Sequence, residues 1–264
     1  MVKIIIATHK KYRMPSDDIY LPLLVGAKNN SLDPGYERDD TGDNISDLNP
    51  SFCELTGLYW AWKNVDADYI GLAHYRRHFY LKKKGADKFS YILTGAELEP
   101  YLGGIKVFIP KKRNYFIETL YSHYAHTHYA SHLDETKKIV QEKYPEYIKQ
   151  LEVVYNQKSG CMFNMMIMTR ELTDEYCTWL FDILFELKSR VDSSELSSYQ
   201  QRFYGRVSEI LFNVWILRKI EEGSLARDEV MELPWMHMEK INWFKKGTAF
   251  LQAKFANKKY EGSF

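Results

Sequence analysis

Residues 68–79 read DYIGLAHYRRHF. Tyr69, Ile70, Leu72 and Ala73 form a short apolar run with the length of a buried strand, and the spacing predicts a strand over 69–74. Gly71 inside it leaves room for a neighbouring backbone to come close. Where that strand surfaces, His74, Tyr75, Arg76, Arg77 and His78 follow without a break. A core strand that ends in four cationic or protonatable side chains points to a bound anion.

The flanking sequence repeats the pattern. Residues 2–7, VKIIIA, read as a first strand that stops in Thr8-His9-Lys10, and residues 105–109, IKVFI, as another that ends at Pro110 in Lys111, Lys112 and Arg113. The apolar stretch 20–27 runs into the long polar excursion NNSLDPGYERDDTGDNIS, of the kind that is functional or mobile. Ser51 and Glu54 fit an S-x-x-E capping box ahead of a helix whose apolar face is Leu55, Leu58, Tyr59 and Trp62. Further helices are expected within 115–150, over 174–190 and over 206–221, and a buried strand over 161–168, where a buried helical turn has much the same pattern. Strands interleaved with helices make an α/β fold with a mostly parallel central sheet. Ligands of such sheets bind beyond the carboxyl ends of the strands. If the three strands lie side by side, their basic clusters converge on one phosphate or pyrophosphate site.

The 264 residues suit one large domain, or one with a small appendage; 45% hydrophobic and 27% charged content supplies an ordinary soluble core. A net charge of +1 gives no reason to expect nucleic acid as a partner. Cys53, Cys161 and Cys177 are too few and too scattered for a disulfide framework or a thiolate zinc site, which indicates a reducing compartment. No signal-peptide pattern and no apolar run of membrane-spanning length is present, so a cytoplasmic location is expected. The chain divides into a domain, 1–232, and a basic aromatic tail, 233–264. The tail mixes Trp235, Trp243, Phe244, Phe250, Leu251 and Phe255 with Lys240, Lys245, Lys246, Lys254, Lys258 and Lys259. That mixture suits a helix on the anionic inner face of the cell membrane, and equally a helix packed on the domain or a disordered end.

GDNIS (42–46), CELTGLYWAWKN (53–64), DYIGLAHYRRHF (68–79), FNMMIMTRELTDEYCTWLFDIL (163–184) and GRVSEILFNVWI (205–216) resemble the bacterial capsular and exopolysaccharide biosynthesis family, a glycosyltransferase-like domain of unknown function. The resemblance covers about residues 3–220. It implies a GT-A-like, Rossmann-type nucleotide-sugar fold, with the tail as a helical C-terminal extension. It also implies transfer of a hexose, galactose or galactofuranose favoured, from a UDP-sugar to a lipid-linked oligosaccharide. In that setting the site residues take roles. Arg76 and Arg77, with His9 and Lys10, bind the donor diphosphate through guanidinium forks and point charges. They occupy the place where a GT-A enzyme carries a metal-binding Asp-x-Asp, so no metal cofactor is expected. Manganese on Asp66 and Asp68 is the fallback, although that pair precedes the strand. His74 and Tyr75 shape the sugar site. Asp43 and Asn44 contact the nucleoside, unless they only build an Asx turn; Asn164 lines the sugar pocket.

An inverting transfer needs a carboxylate base. Glu209, near the start of a helix, is the first candidate and Asp134 the second; each is otherwise a surface carboxylate. His128 and His132, in SHYAHTHYASHLD, are acceptor-binding candidates. The same cluster starts like a binuclear hydrolase signature at His126-x-His128, but Ala130 and Ser131 stand where Asp and His are required. A non-catalytic sugar-nucleotide or glycan-binding protein is the alternative to an enzyme, and a metal-dependent hydrolase a third reading.

Overall fold

A computed structural model describes residues 1–239 except Lys84. The chain opens with β1 (Val2–Thr8), β2 (Tyr20–Leu24) and the short β3 (Glu37–Arg38). Two helices follow, α1 (Asn49–Phe52) and α2 (Leu55–Asn64), then β4 (Tyr69–His74) and β5 (Arg77–Phe79). After α3 (Gly95–Leu98) come β6 (Val107–Pro110) and β7 (Arg113–Asn114). The region expected to be helical between 115 and 150 holds α4 (Leu120–Thr127) and α5 (Ala130–Lys143), with α6 (Ile148–Asn156) completing the group. The chain then forms β8 (Ser159–Gly160), β9 (Met166–Thr169), α7 (Arg170–Arg190), α8 (Phe203–Glu221), β10 (Val230–Leu233) and β11 (Trp235–His237).

The main sheet has the order β10-β6-β9-β4-β1-β2-β3. Strands β1, β2, β3 and β4 run parallel, as do β6 and β10, while β9 is antiparallel to both its neighbours. The sheet is therefore mostly parallel. Ile4, Ile5 and Ile6 of β1 have no exposed surface, the pattern of a strand covered on both faces. Gly71 sits where β1 and β9 close on β4; a Cβ there would lie 3.0 Å from both Ile4 and Ile167. That is the close approach its position in the strand implies.

Helix α2 packs on β1 and β4, and α7 on β4 and β9. Thr169 caps α7 by accepting from Leu172 N, so the helix starts four residues before the expected Asp174. Helix α8 is apolar nearly all round and lies against α1, α6 and α7. A helix of that composition must be buried.

Three expectations need correction. The Ser51–Glu54 capping box does not form. Ser51 Oγ donates to Leu48 O, and the helix breaks at Cys53, whose φ of 54° is left-handed. Only 166–168 of the strand expected over 161–168 is extended, because Phe163 (φ 77°) and Asn164 (φ 53°) turn the chain sharply before it. Residues 233–237, assigned to the tail, belong to the sheet: β11 pairs with β5, and Met238 N donates to Arg76 O. Trp243 and the rest of the tail's aromatic and basic residues from Lys240 on lie outside the described residues. Among the described residues, no helix is long and apolar enough to cross a membrane.

Candidate functional site

Strands β1 and β4 end at one level, with Ala7 paired to His74. Beyond them opens a cavity of about 780 Å³, within the range of small-molecule sites. Its wall carries five arginines, Arg76, Arg77, Arg113, Arg202 and Arg206, against two carboxylates, Glu54 and Glu209. His9, His74, His123 and His128 line it as well.

The HYRR segment is a tight turn between β4 and β5, where His74 pairs with Arg77. Strand β11 clamps its far side through the His237–Arg77 pairing. The two guanidinium groups rest on aromatic rings: Arg77 is 4.4 Å from the centre of Phe163, Arg76 5.3 Å from that of Tyr75. Each leaves a buried Nε with no hydrogen-bond partner among the described residues. Burial, with Arg206 near, pushes Arg77 down to about 10. An unpaired buried cation is costly to hold, so an anion placed beside it would relieve that cost.

Helix α8 supplies the opposite wall. Arg206 and Glu209 lie one turn apart in the first part of α8, Arg202 is the residue just before the helix, and Arg206 Nη1 is 3.0 Å from Glu209 Oε1. Burial raises the Glu209 carboxyl above the usual range; Arg206 opposes this and the charge on Glu54 adds to it. Glu54 moves the other way. Burial pushes it up, but the Asn164 amide, a backbone N–H and Arg206 hold it low, joined by the His74 charge only at the acid pH where that imidazole protonates. Burial and the adjacent Arg77 and Arg76 lower His74, whose Nε2 is 3.9 Å from Glu54 Oε2. At neutral pH the pair is thus an ionised Glu54 beside a neutral His74.

Asn164 is not itself on the cavity wall. Its Nδ2 donates to Glu54 Oε1 and Gly205 O, and its Oδ1 accepts from Ser208. It ties β9's lead-in, Glu54 and α8 into one unit. The left-handed residues Cys53, Phe163 and Asn164 all lie at or directly behind this wall, which is where backbone strain concentrates in functional sites. Cys53 Sγ accepts from Arg202 Nε, and burial pushes its thiol up to about 11, so it is neutral.

Of the residues singled out in the sequence, the cavity brings together His9, His74, Tyr75, Arg76, Arg77, His128 and Glu209. It does not include Lys10, whose ammonium lies over the Tyr75 ring at 5.0 Å. Asp43 accepts from Tyr59 OH and Asn44 builds an Asx turn to Ser46, both outside the cavity, so the turn-building role is the one seen. Asp134 is an exposed residue of α5 that accepts from Tyr121 OH. His132 is buried behind the cavity, hydrogen-bonded to Tyr124 OH and stacked on Phe203. His128 Nδ1 bonds Gln200. Asp66 and Asp68 precede β4, and Asp68 pairs with the Met1 amine. They stand about 20 Å from the cavity end of that strand and do not fit a cation there. Among the described residues, no group of three His, Cys, Asp or Glu is placed to hold a metal.

Arg202 and Arg206 were not read as site residues from sequence, and Glu54 was read there first as a capping residue. The signal for the first two was present only as two arginines spaced by four around the start of a largely apolar helix.

This architecture, a mostly parallel sheet with an arginine-rich cavity at the carboxyl ends of its strands, is that of an α/β protein with its cavity where such sheets bind ligands. The chain belongs to the family described as Domain of unknown function (DUF4422), whose signature matches residues 3–220. Its fold is GT-A-like: it is similar to the apo structure of WbbM, a bifunctional glycosyltransferase, with a TM-score of 0.82 and 31% identity over 90% of this chain. The chain spans 45% of that protein, less than half its length. No curated protein matches the sequence.

Proposed function

We propose that the chain is a glycosyltransferase that moves a hexose, galactose or galactofuranose, from a UDP-sugar to a lipid-linked surface-polysaccharide intermediate. The observation that carries this reading is the cavity wall itself: paired guanidinium groups with unsatisfied Nε atoms facing two carboxylates of opposite tuning. The likeness to a bifunctional glycosyltransferase supports the reaction class.

In this reading Arg76 and Arg77 neutralise the donor diphosphate, assisted by Arg206 and Arg202. They supply at the leaving group the charge stabilisation that a metal would otherwise provide. The ionised Glu54 accepts hydrogen bonds from sugar hydroxyls, with neutral His74 and Tyr75 beside it. Glu209, its carboxyl raised by burial, is the general base. The acceptor oxygen attacks the anomeric carbon, its proton passes to Glu209, and the bond from that carbon to the diphosphate oxygen breaks with its electrons leaving on UDP. The enzyme works at the inner face of the cell membrane, where such acceptors are found.

The test is transfer itself. Purified protein with EDTA is given a panel of UDP-hexoses and a polyprenyl-diphosphate-linked acceptor, and products are followed by mass spectrometry. One hexose added to the acceptor is expected. Tight UDP or glycan binding with no product and no UDP release would favour the non-catalytic binding protein.

A further inference from the structure

We infer that the turn at Phe116-Ile117 is a membrane-docking tip that seats the cavity rim on an anionic lipid bilayer. Phe116 is 77% exposed and Ile117 66%, well beyond any other large apolar side chain among the described residues except Met1. The turn is organised rather than loose. Phe116 N donates to Asn114 Oδ1, Ile117 N and Glu118 N both donate to Tyr115 O, and Phe116 holds a φ of 57°. A strained, hydrogen-bonded turn that projects two large apolar groups into water spends stability on their exposure.

Position and charge identify the occupant. Tyr115 and Leu120 both line the cavity, so the turn between them lies on its rim. Exposed Lys111 and Lys112 precede it, and exposed Lys158 is joined to it where Tyr115 N donates to Lys158 O. The carboxylate of this segment, Glu118, is turned inward onto His123 and His126. Apolar side chains with lysines around them match the headgroup layer of an anionic bilayer, where both parts gain. Two side chains are too small a patch for a stable protein interface. The proposal goes beyond sugar transfer, and a catalytically silent chain would dock in the same way.

The experiment is co-sedimentation of the full chain with vesicles of equal parts phosphatidylcholine and phosphatidylglycerol. The variant is Phe116→Asn/Ile117→Ser, since Asn tolerates the left-handed backbone; its melting temperature shows that it folds. Partitioning should fall roughly tenfold for each apolar group removed. A second variant, Lys111→Glu/Lys112→Glu, should weaken binding to these vesicles and leave the weak binding to pure phosphatidylcholine unchanged. Wild type that fails to bind, or a folded apolar variant that binds as well as wild type through the tail, overturns the proposal. Concentration-dependent self-association that the apolar variant abolishes would assign the tip to a second copy and overturn it too.

Discussion

Replacing Arg77 by Met should make the protein more stable and less able to bind its ligand. Arg77 is an unpaired cation, pushed down by burial from its ordinary value to about 10. That drop corresponds to about 3 kcal/mol held against the charged form, reduced to about 1–2 kcal/mol by solvent screening at a cavity wall. For a base lowered in the folded state, the cost is fully present at any pH below the folded value and disappears only above the unfolded one. It therefore acts undiminished at neutral pH. Methionine keeps the stem against Phe163 and removes the charge, so the melting temperature should rise by roughly 2–6 °C. Ligand reverses the order. UDP at a hundred times its Kd adds about 2.7 kcal/mol to wild type, a further shift of roughly 5–10 °C. Loss of a charge-assisted contact worth about 1.5–3 kcal/mol cuts that shift to roughly 1–5 °C, about half or less of the wild-type shift, in the variant at the same UDP concentration. Differential scanning fluorimetry with and without UDP measures both. A variant that melts lower than wild type, or keeps the full UDP shift, would refute the view that Arg77 is held for a phosphate.

Glu209→Gln should lower kcat by about 10²–10⁴ while UDP still binds. Because the Glu209 carboxyl is raised, the acid limb of the wild-type kcat/KM profile should lie above the ordinary carboxylate range, and the variant should lack it. Asn164→Ala loses bonds to Glu54, Gly205 and Ser208 and forces Ala into a left-handed backbone, costing about 2–4 kcal/mol in denaturant melts. Asn164→Gly keeps the backbone and should cost less. Asp66→Ala/Asp68→Ala, with or without EDTA, should leave calorimetric UDP affinity within about twofold of wild type, since an exposed ion pair with the Met1 amine contributes under about 1 kcal/mol. UDP binding that requires manganese and fails in that variant would contradict the arginine site.

Much of the fold was legible because the apolar runs VKIIIA and YIGLA have one reading in an interleaved chain. The reversal of β9 was not: alternation of buried residues says nothing about strand direction, and the left-handed pair Phe163-Asn164 that turns the chain has no required glycine to mark it. The arginine pair was visible because it closes a strand. Glu54 was misassigned because Ser51-x-x-Glu54 satisfies a local capping pattern, and only the break at Cys53 and the bond to Asn164, 110 residues away, turn it into the cavity. Asp134 and the Asp43-Asn44 pair had the right chemistry, but their placement depended on packing that spacing does not encode.

The most direct measurement is a crystal structure of the chain with UDP. The account predicts the diphosphate oxygens within hydrogen-bond distance of the Arg76 and Arg77 guanidinium groups, with no cation between them. A diphosphate bound away from HYRR, or reached only through a metal ion, would contradict it.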